Sequence, residues 1–173
     1  MKDDKSINLI VKKLESDNKD EVLFTIKQLR NTGNPRILPF VINLLNSSNS
    51  GEIKSAILKF LGDLKNKNST NEIILALKNE KYLSIRKDLL STCWQSGLDY
   101  SEHLGLFVDF FISGDFGVAF EAFTIIDNFE DKYQAEIIDI HIKKLKSKVL
   151  DFKDTDKEAL FVELMHILDH LKQ

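Results

Sequence analysis

Apolar residues recur along the chain at spacings of three and four residues, which is the period of an α-helix with one buried face. Val22, Ile26 and Leu29 mark one such face. Polar breaks at 31–35, 46–51, 66–71 and 97–99 separate these stretches and supply Ser, Thr, Asn or Asp for helix N-caps. The pattern predicts ten helices, near residues 5–15, 20–32, 35–46, 51–65, 70–79, 82–96, 101–113, 115–128, 131–149 and 155–171.

The predicted helices fall into pairs, and the pairs repeat at a nearly constant interval along the chain. Three columns of the second helices hold this register, and they read Val22, Ile53, Ile85, Val118; Ile26, Ile57, Leu89, Ala122; and Leu29, Phe60, Thr92, Ile125. Three columns of the first helices do the same, and they read Ile10, Val41, Ile73, Leu106; Val11, Ile42, Ile74, Phe107; and Leu14, Leu45, Leu77, Phe110. A helix pair repeated at such an interval predicts an all-α fold, a right-handed α-solenoid of about five antiparallel pairs.

Two segments, Glu52 to Gly62 and Leu83 to Leu90, resemble second helices of the HEAT repeat family. Each has a hydrophobic residue followed by a basic one near its start, and the first segment ends in Leu-Gly. The resemblance covers about residues 5–130 and implies a curved stack whose concave face, made by the second helices, binds a partner. We expect one domain over 1–173, with pairs at 5–32, 35–65, 70–96 and 101–128 and an atypical C-terminal capping pair at 131–171.

Composition and charge argue against several classes of protein. With 43% hydrophobic residues in 173, the chain is too apolar for a disordered protein, and its single Cys excludes a disulfide-stapled scaffold. The first ten residues, MKDDKSINLI, lack the apolar core of a secretory signal, so we expect a cytoplasmic protein without a membrane span. A net charge of −3 argues against nucleic acid as a partner.

No nucleotide-binding, nucleophile-elbow or zinc-protease motif occurs in the sequence. Glu163, His166 and His170 share one side of the last helix, where they could hold a metal ion or form a solvated polar face, and we favour the polar face. Cys93 is interpreted as a small buried hydrophobe. The sequence therefore predicts no catalytic residue, no metal and no cofactor.

The positions opposite the apolar columns of the second helices, which we call the outward columns, bear on the choice between an enzyme and a binding protein. These positions are Phe24, Gln28, Asn31; Ser55, Lys59, Gly62; Lys87, Ser91, Trp94; and Phe120, Thr124, Asp127. HEAT-like enzymes, such as DNA glycosylases that hold a duplex in a basic channel and relatives of bilin lyases, remain an alternative. The outward columns contain only two cations, Lys59 and Lys87, which is poor for a duplex groove. We therefore expect a non-catalytic scaffold that binds another protein or peptide.

The expected partner-binding residues lie in these outward columns, where large apolar side chains indicate contact sites. They are Phe24, Gln28, Lys59, Lys87, Ser91, Trp94 and Phe120. Phe111 also falls in an otherwise polar column, and seven of the twelve Phe lie between 107 and 129. Two other interpretations stay open: the C-terminal cap covers Phe111, Phe116 and Phe120 while Trp94 packs onto the next repeat, or the aromatic residues line a small-ligand cavity.

Charge is distributed unevenly along the chain. Residues 1–99 carry 16 Lys and Arg against 12 Asp and Glu, whereas residues 100–173 carry 8 against 15. This asymmetry would orient a partner, or it would allow two copies to associate head to tail. A solvated surface whose composition merely drifts along the chain is the other interpretation of this asymmetry, and we favour it slightly. A subunit that self-assembles through the Phe-rich region at 107–129 is a second alternative to the scaffold.

Overall fold

Helices make up nearly all the regular structure of residues 2–30 and 34–173, the part of the chain that the computed structural model describes. They are α1 (Lys2–Leu14), α2 (Lys19–Leu29), α3 (Leu38–Ser47), α4 (Gly51–Gly62), α5 (Ser69–Lys78), α6 (Arg86–Ser96), α7 (Leu104–Ser113), α8 (Phe116–Asp127), α9 (Ala135–Lys146), α10 (Val149–Phe152) and α11 (Glu158–His170). Short 3-10 turns over Pro35–Ile37, Glu80–Ile85 and Ser101–His103 lead into α3, α6 and α7. The predicted all-α class is confirmed for these residues.

Polar side chains that directly precede helices cap several of them. The Asn18 side chain accepts hydrogen bonds from the backbone N–H groups of Asp20 and Glu21, at 2.9 and 3.2 Å. Ser50 caps α4 and Asp115 caps α8 in the same way. These bonds satisfy N–H groups that have no partner inside the helix. Within the predicted break at 31–35, residues 31–33 lie outside the described residues.

The repeating columns form the core. Every member of the six columns is buried except Ile10, Val11, Leu106 and Val118, which are half-buried. The unusual Thr92 is 2% exposed, and its hydroxyl donates to the Leu89 carbonyl oxygen at 2.7 Å, so it adds no unsatisfied polar group to the core. The helical faces predicted from the sequence are confirmed.

The chain divides into two compact units, and the first comprises residues 1–98. Its helices contact one another in two layers: α1, α3 and α5 pack in succession, and so do α2, α4 and α6. The layers join through α1 with α2, α3 with α4, and α5 with α6. Ion pairs connect α2 to the next helix of its layer, with Lys19 to Glu52 and Arg30 to Asp63 both at 2.7 Å. Both ion pairs join positions that lie close to one repeat interval apart in the sequence.

The second unit comprises residues 99–173. The α7–α8 hairpin packs against α9 and α11, with α9 on α7, α11 on α8, and α9 and α11 in contact. Aromatic rings fill much of its core. The Phe152 ring centroid lies 5.6 Å from that of Phe111 and 5.3 Å from that of Phe161. Phe152 therefore links α7 to the C-terminal helices.

The prediction of one helix over 131–149 followed by a loop over 151–156 is wrong in two places. The Tyr133 N–H donates to the Leu171 carbonyl at 2.8 Å, and the Tyr133 carbonyl accepts from the Gln173 N–H at 2.9 Å. This pairing holds residues 131–134 out of helical geometry, so α9 begins only at Ala135. Where a loop was predicted, α10 forms because it places Phe152, 2% exposed, in the aromatic core.

Within the described residues, no helix is both long enough and apolar enough to cross a membrane.

Candidate protein-binding surface

The α2–α4–α6 layer of the first unit turns six of the predicted partner-binding residues away from the core. We call this set the aromatic–lysine surface, and its members are Phe24, Gln28, Lys59, Lys87, Ser91 and Trp94. Each helix buries its column residues, and the opposite side of the helix is left to face outward. On α2, the burial of Val22, Ile26 and Leu29 leaves Phe24 and Gln28 exposed.

The two aromatic side chains of this surface are strongly exposed for their size. Phe24 is 61% exposed and Trp94, the only Trp of the chain, is 41% exposed. Large rings of this kind cost free energy when they stay in water, at roughly 25 cal/mol per Å² of apolar area. A partner that covers them would recover that free energy.

Two glycines determine how α6 ends and how closely it packs near Trp94. Gly97 adopts φ +64°, a left-handed conformation that ends α6 and that glycine adopts without strain. Gly62 on α4 lies against Gln95, since a Cβ built on it would be 2.9 Å from the Gln95 Oε1 atom. The missing side chain at Gly62 thus lets α6 approach α4 closely beside Trp94.

The charged members of the aromatic–lysine surface, Lys59 and Lys87, are both cations. Among the described residues, neither Lys59 nor Lys87 has a carboxylate within ion-pairing distance, whereas Glu52 is neutralised by Lys19 and Asp63 by Arg30. The remaining polar members contribute less. Gln28 is exposed, and the half-buried Ser91 donates its hydroxyl to the Asp88 carbonyl at 2.8 Å.

Phe120 belongs to the second unit and is described there alone. It is 45% exposed on α8, and its ring centroid lies 6.2 Å from that of the equally exposed Phe116. The expectation that Phe111 faces outward is wrong, because Phe111 is fully buried against Phe152. The alternative in which the C-terminal helices cover the aromatic residues therefore holds for Phe111 and fails for Phe116 and Phe120.

The described residues of the first unit form open clefts at two places where neither Phe24 nor Trp94 belongs to the lining. The cleft between α1 and α3 has a volume of about 290 Å³ and is lined by Val11, Leu14, Glu15, Phe40, Asn43, Leu44 and Ser47. The second has a volume of about 150 Å³ and is lined by Pro39, Ile42, Glu72, Leu75, Ala76, Asn79 and Tyr82. The sequence did not indicate either cleft, because each is formed by side chains of different helices.

Glu163, His166 and His170 are exposed on α11, and the His170 Nδ1 atom donates to the His166 carbonyl at 2.8 Å. In the described part of the chain, no group of three or more His, Cys, Asp or Glu side chains is arranged to hold a metal ion. Cys93 is fully buried, as expected, and its thiol donates to the Leu89 carbonyl at 3.4 Å.

Three polar groups of the second unit were missed by sequence reasoning, because each depends on distant contacts. The Tyr133 hydroxyl donates to the Ser101 carbonyl at 2.8 Å, and burial raises the pKa of Tyr133 to about 12. Burial lowers the pKa of His141, whose ring lies against Gly105, and also the pKa of Lys157. We interpret all three as structural groups, since each is tied to packing within the unit.

No model of a known protein family matches the chain. No curated protein matches it either.

Proposed function

We propose that this chain is a HEAT-like helical scaffold that binds a protein segment on its aromatic–lysine surface, without catalysis. The expected occupant is a segment that carries carboxylates and large apolar side chains. The carboxylates would pair with Lys59 and Lys87, and the apolar side chains would cover Phe24 and Trp94.

The helix contacts of the first unit support the HEAT-like part of the proposal. Successive helices pack within each of two layers, and ion pairs join α2 to α4 across close to one repeat interval. A stack built this way holds its outward side chains on rigid helices, because each helix is fixed by its neighbours. A preformed surface binds with a smaller loss of conformational entropy than a flexible one.

One observation carries the binding proposal. Phe24 and Trp94 are exposed on the same helix layer as Lys59 and Lys87, two lysines without an ion-pair partner in the described chain. Trp is the residue type most enriched among binding hot spots, and aromatic residues are enriched in interfaces as a class. Lysines on the same layer as the rings favour a negatively charged partner. Ion pairs across an interface select the partner and speed its association.

Selection from a library of random displayed peptides tests the proposal with the full chain as bait. We expect recovered peptides to combine Asp or Glu with aromatic or aliphatic residues. A Phe24→Ser, Trp94→Ser double variant should lose these peptides. The matched control is Leu75→Ser, Leu83→Ser, which removes two exposed apolar side chains, 63% and 56% exposed, outside the α2–α4–α6 layer.

The control variant should keep the peptides that bind the wild type. Equal recovery by the Phe24, Trp94 variant and the wild type would show that binding occurs elsewhere, and the proposal would be wrong. Recovery of basic peptides would contradict the assigned role of Lys59 and Lys87.

A further inference from the structure

The boundary between the two compact units is also a boundary of charge. Residues 1–98 carry 16 Lys and Arg against 11 Asp and Glu, and residues 99–173 carry 8 against 16. The first unit is thus formally +5 and the second −8. Two first units repel each other, as do two second units, whereas a first and a second unit from different copies attract.

The negative charge of the second unit is concentrated on two helices that contact each other, α8 and α11. Together they contain five acidic residues and neither Lys nor Arg; the acidic residues are Glu121, Asp127, Glu158, Glu163 and Asp169. All except Glu121 are exposed, and Asp169 pairs with Lys172 at 2.7 Å. The lysines nearby in sequence, such as Lys143 and Lys146, lie on α9 instead.

Exposed apolar side chains occur on the same two helices. Phe116 and Phe120 on α8 are each 45% exposed, and Val162 on α11 is 50% exposed. The α8–α11 pair therefore presents aromatic rings with carboxylates, whereas the α2–α4–α6 layer presents aromatic rings with lysines. That layer contains six Lys and Arg against four Asp and Glu, and the pairing of Lys19 with Glu52 leaves five against three.

We infer that the segment bound by the aromatic–lysine surface is the α8–α11 face of a second copy of this chain. This inference rests on the proposed function, and it adds the identity of the occupant. Phe116, Phe120 and Val162 of one copy lie against the α2–α4–α6 layer that carries Phe24 and Trp94 on the other, and the acidic residues of α8 and α11 pair with Lys59 and Lys87. The contact joins two different surfaces, so it closes into a ring or continues as a chain of copies.

Sedimentation velocity of the full chain is the first measurement. The mass should rise above that of the 19.9 kDa monomer at concentrations of about 100 µM, where micromolar contacts are filled. It should fall again in about 1 M salt, which shortens the screening length to roughly 3 Å. A chain that is monomeric at both salt concentrations would overturn the inference.

Reversing the charges on both proposed surfaces, in two separate variants, is the decisive test of the contact. Lys59→Glu, Lys87→Glu makes one variant, and Asp127→Lys, Glu163→Lys makes the other. Each alone should lose at least tenfold in association constant, because like charges then meet. An equimolar mixture should recover association, since the reversed first unit of one variant matches the reversed second unit of the other. This recovery also shows that both variants are folded.

The matched control is Lys12→Glu, Lys13→Glu, which changes the charge of the first unit equally on exposed residues of α1. It should associate nearly as the wild type does. A mixture of reversed variants that fails to associate, or a control that loses association to the same extent, would overturn the inference.

The peptide selection distinguishes a failure of this inference from a failure of the proposed function. A monomeric chain that still selects acidic, apolar peptides through Phe24 and Trp94 would show that the partner is another protein. A chain that neither associates nor selects such peptides would show that the proposed surface itself is wrong.

Discussion

The ammonium nitrogen of Lys157 lies 5.1 Å from the centroid of the Phe152 ring. The same atom lies 5.6 Å from the centroid of the Phe111 ring, and it donates to the carbonyl oxygens of Ile112 and Gly114 at 3.1 and 3.0 Å. The Lys157 ammonium group therefore binds carbonyl oxygens at the C-terminal end of α7, where the last carbonyls have no partner inside the helix. The helix dipole favours positive charge at this end. This contact ties α7 to the segment that precedes α11.

Replacing Lys157 by Met should destabilise the second unit by about 2 kcal/mol, because two carbonyls lose a charged donor while the apolar stem is kept. Lys157→Arg should lose less, since it keeps the charge. Urea denaturation followed by circular dichroism measures both changes. If Lys157→Met and the wild type have equal free energies of unfolding, the cap at the end of α7 contributes nothing.

Two Phe residues of the second unit should respond very differently to truncation. Phe111→Ala should cost about 3–5 kcal/mol of unfolding free energy, because it leaves a cavity beside Phe152. Phe120→Ala, at a 45% exposed position, should cost no more than about 1 kcal/mol. Thermal melts of both variants under one set of conditions check the difference. Similar losses would mean that Phe120 is a core residue.

The second unit should lose stability in mild acid because of His141. Burial is the main cause of its lowered pKa, Lys144 adds to the effect, and Asp109 opposes it. The folded state thus disfavours the protonated ring. The stabilisation is complete above the unfolded pKa of about 6.5, and it decreases as the pH falls from there toward the lower folded value.

The variant His141→Phe removes the titrating group and keeps a ring against Gly105. Its free energy of unfolding should fall less than that of the wild type between about pH 7.5 and pH 5.5. Urea denaturation at both pH values gives the comparison. A variant that loses as much stability as the wild type would assign the pH dependence to other groups.

Periodicity was enough to predict the helices and their buried faces, because burial repeats with the helical turn. Leu29, Phe60, Thr92 and Ile125 share one column and are all buried. Periodicity failed at Phe111, since the ring that covers it comes from Phe152 in a different helix. Contacts between distant elements leave no local pattern, and this also explains why α10 was missed.

The surface could be predicted only in part for the same reason. Outward columns correctly placed Phe24 and Trp94 on the exposed side of their helices, because the neighbouring core residues fix that side. The sequence could not show that, in the described part of the chain, Glu52 and Asp63 are neutralised while Lys59 and Lys87 are not. Ion pairing depends on the distance between helices, which only the fold sets.

Trp94 provides the most direct measurement of the central claim, because it is the only Trp and lies within the aromatic–lysine surface. Its fluorescence should be followed while a random copolymer of Glu and Tyr, an acidic and aromatic probe, is added to the full chain. We expect a saturable shift of the emission to shorter wavelength, which a Lys–Tyr copolymer does not produce. The Lys59→Glu, Lys87→Glu variant should lose this shift. Emission that stays unchanged, or that shifts equally in the variant, would contradict binding at this surface.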